Sequence, residues 1–159
     1  MTSNETEFHP HILLLQGPNM NYLGKRQPEL YGSTTAAELD EMVREHALKT
    51  GYRLSIFYTN SEGAALDRIY EAVENEGMDG LVMNSAAWSV GAGASVRYCI
   101  LSVAKPYVEV HLRNQYMMKN VSTLADLAVG VVQGFGIESY MLGLDAMYRH
   151  LGAARKSAF

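Results

Sequence analysis

The feature that most constrains this chain is the alternation of short apolar runs with helical patterns between residues 11 and 150. Strands are expected over 11–15, 53–58, 80–83, 107–112 and 127–132, the fourth following Pro106 and rich in β-branched and aromatic residues. Helices are expected over 35–49, 62–75, 92–103 and 137–150. Thr35 and Glu38 stand in capping-box spacing, Gly51 lies just past the first helix, and Gly77 stops the second. Strands separated by helices pair in parallel, because a parallel neighbour needs a long crossover and a helix supplies it. The strands are apolar on both faces, as when helices cover both sides of a sheet. The expected architecture is α/β, a flavodoxin-like doubly wound five-stranded parallel sheet with helices on both faces. One domain is expected over 11–152, with a disordered or extended N-terminal tail at 1–10 and a C-terminal tail at 153–159.

Composition narrows the classes of function. Thirteen Lys and Arg against seventeen Asp and Glu leave a net charge of -4, so the chain as a whole has no pull towards nucleic acid or an anionic membrane. A local basic site for a small anion is compatible with that balance. Cys99 is the only cysteine, which excludes an intramolecular disulfide and Cys-based zinc sites. His9, His11, His46, His111 and His150 show no ligand spacing, so no metal site is expected. The aliphatic run Ile12-Leu13-Leu14-Leu15 is too short to span a bilayer, and the polar, acidic start is unlike a signal peptide. A cytoplasmic protein is expected.

In open α/β sheets ligands bind beyond the carboxyl ends of the strands. The first strand leads into Gln16-Gly17-Pro18-Asn19, the second into Asn60-Ser61-Glu62, and the third into Asn84-Ser85-Ala86-Ala87. The fourth ends in Glu109-Val110-His111-Leu112-Arg113-Asn114, and the fifth leads into Gly134-Phe135-Gly136. The long irregular loop from Asn19 to Gly32 carries Lys25, Arg26 and Tyr31 and suggests a lid. A phenol ionises near about pH 10, so a phenolate base in neutral water needs roughly 3–4 kcal/mol of stabilisation, which a neighbouring guanidinium favours. The bland alternative for Arg26 and Tyr31 is an amphipathic surface pair. Glu109 and His111, two apart on a strand, project to one face. The carboxylate can then orient the imidazole as an acid or base, unless the two are simply a structural ion pair. Gly134-Phe135-Gly136 lacks the full dinucleotide fingerprint, with Ser139 at the third position. Met117 and Met118 read as core or subunit contacts.

These motifs together resemble type II 3-dehydroquinate dehydratases over residues 11 to 150. Leu15-Gln16-Gly17-Pro18-Asn19 is similar to the family's opening motif, and residues Leu23 to Gly32 to its lid. Glu109 to Asn114 resembles its fourth-strand signature and Val129 to Gly136 its fifth. The resemblance implies a cofactor-free, reversible anti-elimination of water from a small, anionic cyclic hydroxy ketone, 3-dehydroquinate, through an enolate. It implies Tyr31 as the base, Arg26 as its activator on the lid, and Asn19 as holder of the water that stabilises the enolate. His111, oriented by Glu109, would protonate the departing hydroxyl, and Asn84 with Leu112 and Arg113 would grip the substrate. It implies a homo-oligomer, trimers assembled into a dodecamer. The resulting place in metabolism is the shikimate or quinate pathway and aromatic amino acid biosynthesis.

Some positions depart from that pattern. Gln16 and Gln27 stand where the family usually has Asn and an acidic residue. The segment from Trp88 to Tyr98 lacks the family's substrate-binding His, and Tyr98 replaces its Asp. The segment from Tyr116 to Ser122 is shorter and lacks an Arg, while Arg113 replaces a small hydroxyl residue. Arg113 is expected to supply the anion contact instead, with Val90 and Trp88 making the pocket more apolar. A buried hydrogen-bonding site discriminates strongly between substrates that do and do not match it. Elimination or enolisation on another cyclic hydroxy ketone therefore stands as the alternative, and a non-catalytic binding or assembly protein as a third.

Overall fold

The computed structural model describes residues 7–158. Five parallel strands lie in the order β2-β1-β3-β4-β5, namely β1 (His11–Gln16), β2 (Arg53–Tyr58), β3 (Gly80–Asn84), β4 (Tyr107–His111) and β5 (Gly130–Gln133). The expected doubly wound, flavodoxin-like architecture is the one observed. The helices are α1 (Pro28–Tyr31), α2 (Ala36–Thr50), α3 (Glu62–Asn75), α4 (Ala94–Val103) and α5 (Glu138–Ser157).

Period-two burial divides the core into two layers. Ile12, Leu14, Val82, Val108 and Val110 pack against Leu39 and Val43 of α2 and Tyr140, Leu144 and Met147 of α5. Leu13, Leu15, Leu81, Met83 and Tyr107 face Ala65 and Ile69 of α3 and Val96 and Ile100 of α4. Every residue of β1, β3 and β4 is buried, whereas the edge strands β2 and β5 are partly open. Coverage on both faces thus holds for the centre of the sheet.

Local chemistry sets several boundaries. The Thr35 hydroxyl accepts from the Glu38 backbone N–H while Glu38 returns the bond to the Thr35 N–H at 2.7 Å, a capping box that starts α2. Gly51, in the left-handed region, ends it. Other boundaries differ from expectation. The fifth strand, expected from Leu127, starts only at Gly130, because Leu127 closes a 3-10 turn over Ala125–Leu127. Helix α5 runs to Ser157, through the segment expected as a C-terminal tail, with Arg155 and Lys156 in its last turn complementing the helix dipole. Of the expected N-terminal tail, residues 1–6 lie outside the described residues. Within the rest of it, the Phe8 ring packs 6.0 Å from that of Tyr148.

Candidate active site

At the carboxyl edge of the sheet, the exits of β1, β3 and β4 surround a cavity of about 230 Å³. The exits of β1 and β3 meet where the Gly17 N–H donates to the Asn84 carbonyl at 2.8 Å. A Cβ on Gly17 would stand 2.8 Å from the Ser85 carbonyl oxygen, so the close approach requires glycine. Beyond it the chain turns through a 3-10 helix at Met20–Tyr22, and Met20 lines the cavity.

The segment expected as an irregular lid contains that turn and α1. Its residue 28 is a proline, whose missing N–H costs nothing at the first helical position. The Arg26 N–H donates to the Tyr22 carbonyl at 2.9 Å, and the Tyr31 N–H to the Gln27 carbonyl at 3.0 Å. Arg26 and Tyr31 both line the cavity, with the guanidinium carbon 5.0 Å from the centre of the phenol ring. Asn19 is placed differently. It is exposed, in the left-handed region, with its N–H donating to Asn60 Oδ1 at 2.8 Å, and it is not among the residues that line the cavity.

From β4, Glu109 and His111 project to the same face, as their spacing requires. His111 Nε2 lies 2.6 Å from Glu109 Oε1, and the other carboxylate oxygen accepts from the Tyr107 hydroxyl at 3.0 Å. His111 lines the cavity, whereas Glu109 is fully buried behind it. Burial, the largest single influence on Glu109, pushes its carboxyl up. Hydrogen bonds from His111, Ser122 and Tyr107, with the charge on His111, outweigh that and hold it below its ordinary value. Burial and the adjacent carboxylate drive the Tyr107 phenol far up, so it serves Glu109 as a protonated donor.

The rest of the wall comes from three segments. Leu112 and Arg113 continue from β4, and the Gly136 N–H pins the Leu112 carbonyl at 2.9 Å. Asn84, Ala86 and Val90 come from the β3 exit. Gln115, Met118 and Asn120 close the far side, Asn120 Nδ2 donating to Gln115 Oε1 at 3.3 Å. The site therefore assembles seven of the eight residues expected from sequence, with Glu109 one shell behind His111. Gln115, four residues past the carboxyl end of β4, is an addition to the expected site that its position signals, whereas Asn120 joins the wall only because the 3-10 turn at Gln115–Met118 folds it back.

Trp88 requires a correction. It is buried against the layer formed by Val96 and Leu124 and does not line the cavity, so of the two expected apolar wall residues only Val90 is there. The 3-10 turn at Ala86–Val90 sends residues two apart in different directions. Of the two readings of Met117, core or subunit contact, its 78% exposure excludes the first, while Met118 contributes to the cavity. Tyr98 is exposed on α4, outside the cavity wall.

Electrostatically the cavity runs against the chain's net charge of -4. Arg26, Arg113 and His111 line it, and no Asp or Glu does. A low-dielectric pocket with this lining attracts an anion. Among the described residues, no cluster of three or more His, Cys, Asp or Glu could hold a metal ion, and no helix is long and apolar enough to cross a membrane. The arrangement offers a phenol beside a guanidinium and a carboxylate-oriented imidazole facing one small, positively lined space.

The sequence model of a family described as dehydroquinase class II matches residues 10–148. The chain is 42% identical over 144 residues to a 3-dehydroquinate dehydratase of Parasynechococcus marenigrum, covering 89% of this chain and 97% of that one. It is 39% identical over 146 residues to the 3-dehydroquinate dehydratase of Xylella fastidiosa, covering 90% and 97%. In structure it resembles a type II dehydroquinase from Butyrivibrio crossotus, with a TM-score of 0.83, 30% identity, and 88% and 98% of the two chains covered.

Proposed function

Because the chain belongs to the class II dehydroquinase family, we propose that it is a hydro-lyase that reversibly dehydrates 3-dehydroquinate to 3-dehydroshikimate in the cytoplasm. The observation that carries the reading is the convergence of Tyr31 with Arg26 and His111 with Glu109 on one cavity free of carboxylates. Tyr31, as phenolate, takes the proton α to the ketone, and the C–H electrons move onto the carbonyl oxygen as an enolate. Arg26 offsets the phenolate's charge and carries it on the lid. The enolate then re-forms the ketone, its electrons make the conjugated C=C bond, and the C–O bond breaks. His111 delivers a proton to the departing hydroxyl, which leaves as water. Glu109 balances the imidazolium and fixes the ring, leaving Nδ1 as the nitrogen for transfer. Asn19, exposed and outside the wall but one residue before the wall residue Met20, is assigned the water that stabilises the enolate oxygen, a role that requires its side chain to turn inward.

Asn84 and the backbone at Leu112 and Arg113 grip the ring, and the Arg113 guanidinium pairs with the substrate carboxylate. A second reading, elimination on a different cyclic hydroxy ketone, is favoured by two wall residues, apolar Val90 and cationic Arg113. Family membership further suggests a homo-oligomer, trimers assembled into a dodecamer, for which exposed Val129, Val131 and Phe135 offer apolar surface. The test is the ultraviolet absorbance of the conjugated enone as purified protein meets 3-dehydroquinate and a series of related cyclic hydroxy ketones. Fastest turnover of 3-dehydroquinate supports the first reading, preference for another ring supports the second, and turnover of none refutes both.

A further inference from the structure

Behind the β3 side of the cavity wall, three buried polar side chains from three elements form a chain that the proposed proton transfers do not use. Asn84 Nδ2 donates to the Tyr140 hydroxyl at 2.8 Å, and that hydroxyl donates to Gln16 Oε1 at 2.7 Å. Gln16 ends β1 beside Asn84 of β3 in the sheet register, and Tyr140 lies in the first turn of α5. Gln16 and Tyr140 are fully buried and Asn84 is 3% exposed.

The directions of these bonds matter more than their number. A hydroxyl has one hydrogen, and Tyr140 uses its hydrogen on the Gln16 carbonyl. Towards Asn84 it can therefore only accept, so Asn84 must present its NH2 group to Tyr140 and not its carbonyl. The Asn84 carbonyl is held independently by the Ala86 N–H at 3.1 Å. With one amide hydrogen on Tyr140 and the oxygen turned to Ala86, the second amide hydrogen is the donor Asn84 has left for the cavity it lines. Gln16 Nε2 faces the Tyr58 hydroxyl, whose electrostatics include a hydrogen bond from Gln16, so the Gln16 carbonyl is the end turned to Tyr140.

We propose that Gln16 and Tyr140 are positioning residues for substrate recognition, fixing the Asn84 carboxamide so that it offers an N–H donor to an oxygen of the bound ring. The inference rests on the reading that a hydroxy ketone ring occupies this cavity. It adds a specificity rule: at Asn84 the site offers a donor to a ring oxygen and disfavours a ring that carries hydrogen or methyl, which cannot accept, at that place. Loss of either positioning residue leaves the carboxamide held by the Ala86 N–H alone, so its NH2 group is less firmly aimed, and affinity falls while the reacting groups stay in place.

The experiment is a double-mutant cycle on 3-dehydroquinate kinetics, built from Tyr140→Phe, Asn84→Ala and the double variant. Tyr140→Phe is expected to raise KM about tenfold, the loss of one neutral hydrogen bond, with a much smaller change in kcat. In the Asn84→Ala background the same change is expected to cost no more than about twofold, because Tyr140 acts through Asn84. Equal losses in both backgrounds would overturn the proposal and leave Tyr140 a packing role. Gln16→Met keeps the volume, frees the Tyr140 hydrogen to point at Asn84, and is expected to raise KM similarly should Tyr140→Phe not fold. The NMR signals of the Asn84 NH2 group give a readout independent of turnover. In wild-type protein one of its hydrogens is expected to be protected from exchange, and in Gln16→Met that protection is expected to vanish. Unchanged protection overturns the positioning role, even if an absence of turnover has already refuted the proposed activity.

Discussion

Replacing Glu109 by Gln probes the imidazole support without changing shape. The Gln carbonyl can still accept from His111 Nε2, where the carboxylate oxygen now lies at 2.6 Å. The amide NH2 then faces the Tyr107 hydroxyl, which is 3.0 Å from the second oxygen and can turn its own hydrogen towards Ser85. What disappears is the charge. A hydrogen bond to a charged group contributes about 1.5–3 kcal/mol and a neutral one about 0.5–1.5, a difference of about 1–2 kcal/mol. If that support is present in the transition state, kcat/KM for 3-dehydroquinate falls about 5- to 30-fold. Thermal unfolding across pH gives an independent check. The Glu109 carboxyl is held below its ordinary value of 4.5, so its charge stabilises the fold at pH values above that figure. The contribution is lost as pH falls through the lower, folded-state value. The Tm gap between wild type and Glu109→Gln should therefore narrow on acidification below 4.5. A variant with kcat/KM within about twofold of wild type would refute the claim that Glu109 supports His111 during catalysis.

Other perturbations follow from the same geometry. Arg113→Gln should raise KM for 3-dehydroquinate by about 10- to 100-fold with a smaller effect on kcat, since it removes one charge-assisted contact of roughly 1.5–3 kcal/mol; steady-state kinetics decide it. Gly17→Ala places a methyl 2.8 Å from the Ser85 carbonyl and should cost about 1–3 kcal/mol in urea unfolding by forcing the β1 and β3 exits apart. Thr35→Ala removes the cap of α2 and should cost about 0.5–2 kcal/mol in the same assay while leaving turnover unchanged.

The parts of the fold that were legible in the sequence are those with local causes. The β2 and α3 boundaries follow from an apolar run ended by Thr59-Asn60 and from Ser61, whose hydroxyl caps the Ala64 N–H. Parallel pairing and strand order follow from alternation plus crossover geometry. Glu109 and His111 were legible as a pair because period two is enforced by the strand. The expectations that failed lie where short 3-10 turns replace a fixed period: Trp88 turned inward, and Leu127 left the sheet. Gly152 stands two residues behind His150, but it does not adopt a positive φ to cap the helix there, and α5 continues through it to Ser157. The chain from Asn84 through Tyr140 to Gln16 spans 124 residues in sequence; only the folded sheet brings those side chains together, so no spacing rule could announce it.

The division of labour between Tyr31 and His111 is tested most directly by NMR of 3-dehydroquinate in D2O with two variants. If Tyr31 removes the α-proton and His111 only assists the leaving hydroxyl, His111→Ala should exchange that hydrogen for deuterium faster than it forms enone. Tyr31→Phe, folded and with wild-type Tm, should neither exchange nor eliminate at a measurable rate. Exchange at the wild-type rate in Tyr31→Phe would contradict the account.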